Sequence, residues 1–167
     1  MEEIFIRRSI RKFEDKEIEQ EKIEKLLRAA MQAPSAANQQ PWEFIVVTGK
    51  EELKVLSEAS MYSKPTEGSG AAIVLLGDSR NFRVPDCWQQ DMGAVAQNIL
   101  LEAVHLGLGG VWMALSANQG ASEYVTKLYG LPEYIKPFAL IALGYPKDQE
   151  NQFVDRYQES RVHYGKW

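Results

Sequence analysis

The chain has one cysteine, Cys87, and two histidines, His105 and His163, in 167 residues. A lone thiol cannot close an internal disulfide, so stability must come from a buried core. The histidines lie far apart, and neither is spaced with Cys, Asp or Glu as a metal site requires, so no metal is expected. No local signature around Cys87 or His105 marks them as a nucleophile and its base. Long apolar runs are also missing. Ala71 to Gly77 and Phe138 to Leu143 are strand length, well short of the ~20 residues that cross a bilayer. With no membrane association and no charged, apolar leader, a cytoplasmic location is expected. Basic residues are the minority, 19 against 23 acidic, and a net charge of -4 opposes general binding to nucleic acid. The glycine-rich fingerprints of dinucleotide and phosphate loops do not occur either.

Against that acidic average, Arg7, Arg8, Arg11 and Lys12 fall within the run Arg7-Arg8-Ser9-Ile10-Arg11-Lys12-Phe13. Two readings stand open: a solvated basic helix end, or an anion site. The second has a physical basis, because guanidinium forks pair with phosphate oxygens and the Ser9 hydroxyl can add a hydrogen bond. Arg11 lies one helical turn from Arg7, or displaced along an extended segment, and so reaches a different part of the same ligand. Such a ligand is larger than a phosphate.

A chain of this length with 45% hydrophobic residues is long enough for one domain with a sizeable core. Periodicity predicts a short helix over residues 2–8 and a second over 18–31, with Ile23, Leu26, Leu27, Ala30 and Met31 on one face. Residues 34–41 read as a loop closed by Trp42. A strand is expected at 44–48, then an amphipathic helix carrying Leu53, Val55 and Leu56, then a loop rich in Ser, Gly and Pro. Residues 71–77 predict a strand apolar on both faces, hence central. The longest helical pattern covers 88–106 and ends at Gly107, Gly109 and Gly110. Strands at 111–115 and 137–144 flank a helix at 119–129. The tail from Tyr145 is polar but carries Phe153, Tyr157, Tyr164 and Trp167; it either docks on its own body or embraces a second subunit.

Three segments taken together, Arg7 to Phe13, Ala33-Pro34-Ser35-Ala36-Ala37-Asn38-Gln39-Gln40-Pro41-Trp42 and Gln90 to Leu101, resemble the FMN-dependent nitroreductase family in residues, order and spacing. The resemblance extends to Gly107-Leu108-Gly109, Leu143-Gly144-Tyr145-Pro146 and Arg161-Val162-His163-Tyr164. It implies an α+β fold, a three-layer α/β/α sandwich around a mainly antiparallel sheet, as one domain over 1–167. It also implies an intertwined homodimer holding FMN at the subunit interface, with residues 146–167 reaching the partner.

By the same resemblance, Arg7, Arg8, Ser9 and Arg156 hold the FMN phosphate, and Arg11 lies against the pyrimidine edge of the flavin. Pro34, Ser35, Ala36 and Asn38 come from the partner, while backbone N–H groups of Met113, Ala114 and Leu115 lie near N5. Relatives often carry glycines where this chain has Ala114 and Leu115. The implied activity passes hydride from NADH or NADPH through flavin N5 to a small-molecule electron acceptor, a nitroaromatic, a quinone or a similar compound, with no side chain as catalytic acid, base or nucleophile. Gln90 and Asp91 are candidates for pocket residues or for the start of the long helix. The other reading is a non-catalytic flavin or anion binder that stores or senses its ligand.

Overall fold

The computed structural model describes residues 2–167. Two strands without an exposed face organise the fold: β2 (Ala71–Asp78) is buried throughout, and β4 (Ile135–Gly144) from Pro137 onward. A strand covered on both faces belongs in the middle of a sheet. The observed order is β1-β2-β4-β3, with β1 (Trp42–Val47) and β3 (Gly109–Ala114) at the edges and every pairing antiparallel.

Side-chain alternation along β2 and β4 divides the core into two layers. Ile73, Leu75, Ile141 and Leu143 face α2 (Gln20–Ala30) and α4 (Trp88–His105), while Ala72, Val74, Leu140 and Ala142 face α3 (Lys50–Ser57) and α5 (Gln119–Tyr129). Helices thus cover both faces, giving the expected α/β/α layering. The wide stripe of α4, including Met92, Val95, Ile99 and Ala103, is fully buried in the first layer. A bulge falls between Leu75 and Leu76, whose partners are Ala139 and Pro137. Pro137 lacks an amide N–H, and the bulge is where a central strand tolerates that loss.

Element boundaries depart from the sequence expectations at three places. The first helix, α1, spans only Glu3–Ile6, so the basic run begins just outside it. Trp42 and Glu43 belong to β1 rather than to the preceding loop. Of the three glycines expected to end the long helix, only Gly107 does so, turning at φ 75° while Leu108 N–H reaches back to Ala103 O at 2.7 Å. Gly109 and Gly110 open β3 instead. Beyond Gly144 the tail has no regular structure except a single turn at Glu159–Arg161.

Candidate functional site

The basic run is extended rather than helical. After α1, residues 9–13 lie across the ends of the two neighbouring strands β3 and β4: Ser9 bridges Gly110 in parallel, Ile10 N–H donates to Gly110 O at 3.0 Å, and Phe13 bridges Pro146. Glycine makes this approach possible. A Cβ on Gly109 would stand 2.5 Å from Ile10 Cγ1, and one on Gly144 would stand 2.7 Å from Phe13 Cδ1. Of the two spacings left open for Arg7 and Arg11, the extended one holds, and four extended residues separate them by up to about 13 Å.

Side chains from the tail fix this segment. Asn151 Oδ1 accepts from Arg8 N–H at 3.0 Å while its amide donates to Leu108 O, and Gln149 Oε1 accepts from the N–H groups of both Arg11 and Lys12. The result is a concentration of cations. Among the described residues, no ion pair involves Arg7, Arg8, Arg11 or Arg156. Burial, followed by the charges of Arg8 and Arg156, pushes the Arg7 guanidinium below its ordinary range. Arg8 turns part of its guanidinium inward, donating to Phe5 O at 3.0 Å and to Arg7 O, which satisfies carbonyls at the end of α1. Its Nε is buried without a partner. An anion would relieve both the mutual repulsion and the uncompensated donor.

Arg11 stands at the mouth of a cleft of about 680 Å³ that runs along the free edge of β3 and is also lined by Tyr62, Ala117 and Asn118. Alternation within β3 decides which backbone groups face it. Gly110 O points away from β4, toward Ile10, so the polar groups of Trp112 and Ala114 point outward as well. Those of Val111 and Met113 bond to β4. Leu115 continues the inward series: its N–H donates to Phe138 O at 2.9 Å and its side chain is fully buried. Among Met113, Ala114 and Leu115, only Ala114 turns its amide away from β4. The outward direction of Trp112, on the same edge, is not legible in the sequence, because an alternation rule needs one known pairing to set its phase.

The Pro34–Pro41 loop lies apart from this cleft in the same chain, and none of Pro34, Ser35, Ala36 or Asn38 lines it. The loop is strained and braced. Ala37, Asn38 and Gln40 have φ of 50°, 50° and 45°, where side chains are disfavoured. Buried Asp91 holds the loop from below, accepting from Ala36 N–H at 2.9 Å and from the Gln39 amide, while Gln39 Oε1 accepts from Val84 N–H at 2.9 Å. Ser35 Oγ accepts from Gln40 N–H at 3.1 Å. Asp91 is therefore a support for the loop and not a lining residue of the cleft. Its signal was visible in sequence as an acid in the first turn of an apolar helix, but its partner, 52 residues away, was not.

The described residues hold no group of three His, Cys, Asp or Glu side chains that could bind a metal ion, and no helix long and apolar enough to cross a membrane. The chain is thus a three-layer α+β body with an arginine cluster that joins no ion pair among the described residues, set beside an open sheet edge. Comparison with known proteins narrows this description. The profile of the nitroreductase family matches residues 4–83 and 71–145, and the chain belongs to that family. It is 44% identical to a protein of Archaeoglobus fulgidus provisionally named NADH dehydrogenase/NAD(P)H nitroreductase, over 98% of this chain and 96% of that one. A provisionally named NADH oxidase of Clostridium acetobutylicum superposes with a TM-score of 0.97 at 47% identity, covering 99% of each chain. A provisionally named nitroreductase of Desulfovibrio desulfuricans, solved in complex with FMN, superposes with a TM-score of 0.84 at 30% identity, covering 95% of this chain and 91% of that one.

Proposed function

We propose that the protein is an FMN-dependent oxidoreductase that works as a homodimer, taking electrons from NADH or NADPH and passing them to nitroaromatic, quinone or similar electron-poor acceptors. The observation that carries this reading is the cluster of Arg7 and Arg8 with Arg156 of the tail, free of ion pairs, on the extended segment whose Arg11 lines the cleft at the free edge of β3. This arrangement fits FMN. The cluster suits a dianionic phosphate, and the orphaned Arg8 Nε marks a donor short of an acceptor. The outward amides of Trp112 and Ala114 and the charge of Arg11 suit a flat ring with donors and acceptors on its edge.

When bound, FMN supplies the two-electron relay between donor and acceptor. The chain's own residues bind and polarise. Arg7 and Arg156 grip the phosphate with Ser9, while Arg11 fixes positive charge where reduction adds negative charge. Pro34, Ser35, Ala36 and Asn38 act across the subunit boundary, because the loop that carries them is held rigid and turned to solvent yet does not reach its own chain's cleft. The exposed aromatic tail favours the same assembly, with residues 146–167 reaching the partner.

The test is spectroscopic. Purified protein is expected to take up FMN and turn yellow, to bleach anaerobically on addition of NADH or NADPH, and to recover its colour when a quinone or nitroaromatic is added. A protein that binds FMN but is bleached by neither nicotinamide is a storage or sensing protein. One that takes up no FMN removes both readings.

A further inference from the structure

On the other side of Arg11 from the β3 cleft is a second groove, of about 480 Å³, lined by Lys12, Lys64 and Lys147 with Arg11 shared between the two. Its only acids are Glu67 and Asp148. Lys64 is committed to Glu58, whereas among the described residues neither Lys12 nor Lys147 joins an ion pair. Those two lysines are not free to move apart at the backbone: Lys147 N–H donates to Lys12 O at 3.0 Å beside the Phe13–Pro146 bridge, and Gln149 clamps the Lys12 N–H. Like charges placed across a bridge repel. A concave wall then focuses that positive field within a chain of net charge -4.

We infer that this groove holds the phosphates of the nicotinamide donor, with Lys12 and Lys147 as the residues that recognise them; the inference rests on the oxidoreductase reading above. The FMN phosphate is accounted for by a separate cluster, Arg7 with Arg8 and Arg156, up to about 13 Å back along the segment. An anion beyond Arg11 therefore belongs to the molecule that shares the cleft with the flavin. A nicotinamide dinucleotide carries a pyrophosphate between its two nucleosides, and NADPH adds a third phosphate on the adenosine ribose.

The experiment compares KM for NADPH, for NADH and for the phosphate-free donor 1-benzyl-1,4-dihydronicotinamide in FMN-loaded wild type and in the double variant Lys12→Gln/Lys147→Gln. Binding of NADP+ is followed by calorimetry in both proteins. The ratio of KM for NADPH to KM for the benzyl donor is expected to rise roughly tenfold in the variant, as for the loss of two exposed charge contacts. NADP+ binding should weaken by a similar factor, less so at high salt. A rise for NADPH alone assigns the groove to the 2′-phosphate, and a rise for NADH as well assigns it to the pyrophosphate. An unchanged ratio with unchanged NADP+ binding overturns the proposal. Should wild type bind NADP+ through these lysines yet oxidise no donor, the groove stands and the oxidoreductase reading falls.

Discussion

Body and tail use the same aromatic and aliphatic residues to opposite ends. Within the body, Phe13, Phe138 and the whole inner length of β4 are buried. In the tail, Phe153, Tyr157, Tyr164 and Trp167 are 62%, 68%, 86% and 99% exposed. Gln149 and Asn151 tie the start of the tail to the body, but of these four rings only Phe153 has a ring contact there, tilted against exposed Phe5 at 6.5 Å. Exposed aromatic surface on this scale is a mark of interaction sites. Exposed rings of this kind support the proposal that the tail reaches a second subunit.

Deleting residues 153–167 breaks this comparison most completely. The body is expected to keep its circular dichroism, because no buried residue is removed, whereas light scattering should change from dimer to monomer and FMN should be lost with it. A truncated protein that remains dimeric and yellow would show that the tail is not the clasp. A finer version sets Leu140→Ala against Trp167→Ala. Leu140 is fully buried between the sheet and the α3/α5 layer, so its truncation should cost about 2–5 kcal/mol at any protein concentration. Trp167 is almost wholly exposed and its ring contact is with His163 of the tail, so Trp167→Ala should lower Tm mainly as a concentration-dependent effect, read by calorimetry over a dilution series.

The loop from Pro34 to Pro41 stands between these extremes, exposed at its tip and anchored at its base. Asp91→Ala removes the acceptor for Ala36 N–H and for the buried Gln39 amide, at an expected cost of about 1–3 kcal/mol. The variant should retain FMN less well as the strained φ values at Ala37, Asn38 and Gln40 relax. Unaltered thermal stability in chemical-shift-identical protein would refute the bracing role of Asp91.

Legibility followed the range of the interactions involved. The central strands and the long helix could be read from the chain because their signals, continuous apolarity and a period near 3.6, are local. The antiparallel order β1-β2-β4-β3 could not, since pairing depends on which strands meet. Gly109 and Gly110 read as a helix end because glycine signals a break, when Gly109 supplies space for Ile10, ninety-nine positions upstream, and Gly110 supplies space for Leu100 and Leu143. The site shows the same division. The cations at Arg7, Arg8 and Arg11 stood out against an acidic average, but the direction of each β3 amide required the hydrogen bond from Ile10. Gln149, Asn151 and Asp91, which hold the site's backbone, are ordinary polar residues without a local pattern.

The junction of body and tail offers the smallest and most pH-specific test. Tyr145, the first residue after β4, donates its hydroxyl to Glu19 at 2.8 and 2.6 Å and accepts from Lys22 Nζ at 2.8 Å, tying the start of the tail to the start of α2. The tyrosine hydrogen bond, with backbone amides and nearby Lys22 and Lys16, lowers the Glu19 carboxyl from 4.5 to about 2. A carboxyl depressed on folding adds stability that is fully present above its unfolded value and lost as pH falls through the folded one. Wild type should therefore lose stability relative to Glu19→Gln between pH 4.5 and about 2, and Tyr145→Phe should remove most of that difference. The group is exposed, so the effect should be small and shrink with added salt. Urea titrations of the three proteins across that window check it, and parallel pH profiles would mean that the junction is held by the chain around Tyr145 and not by its hydroxyl.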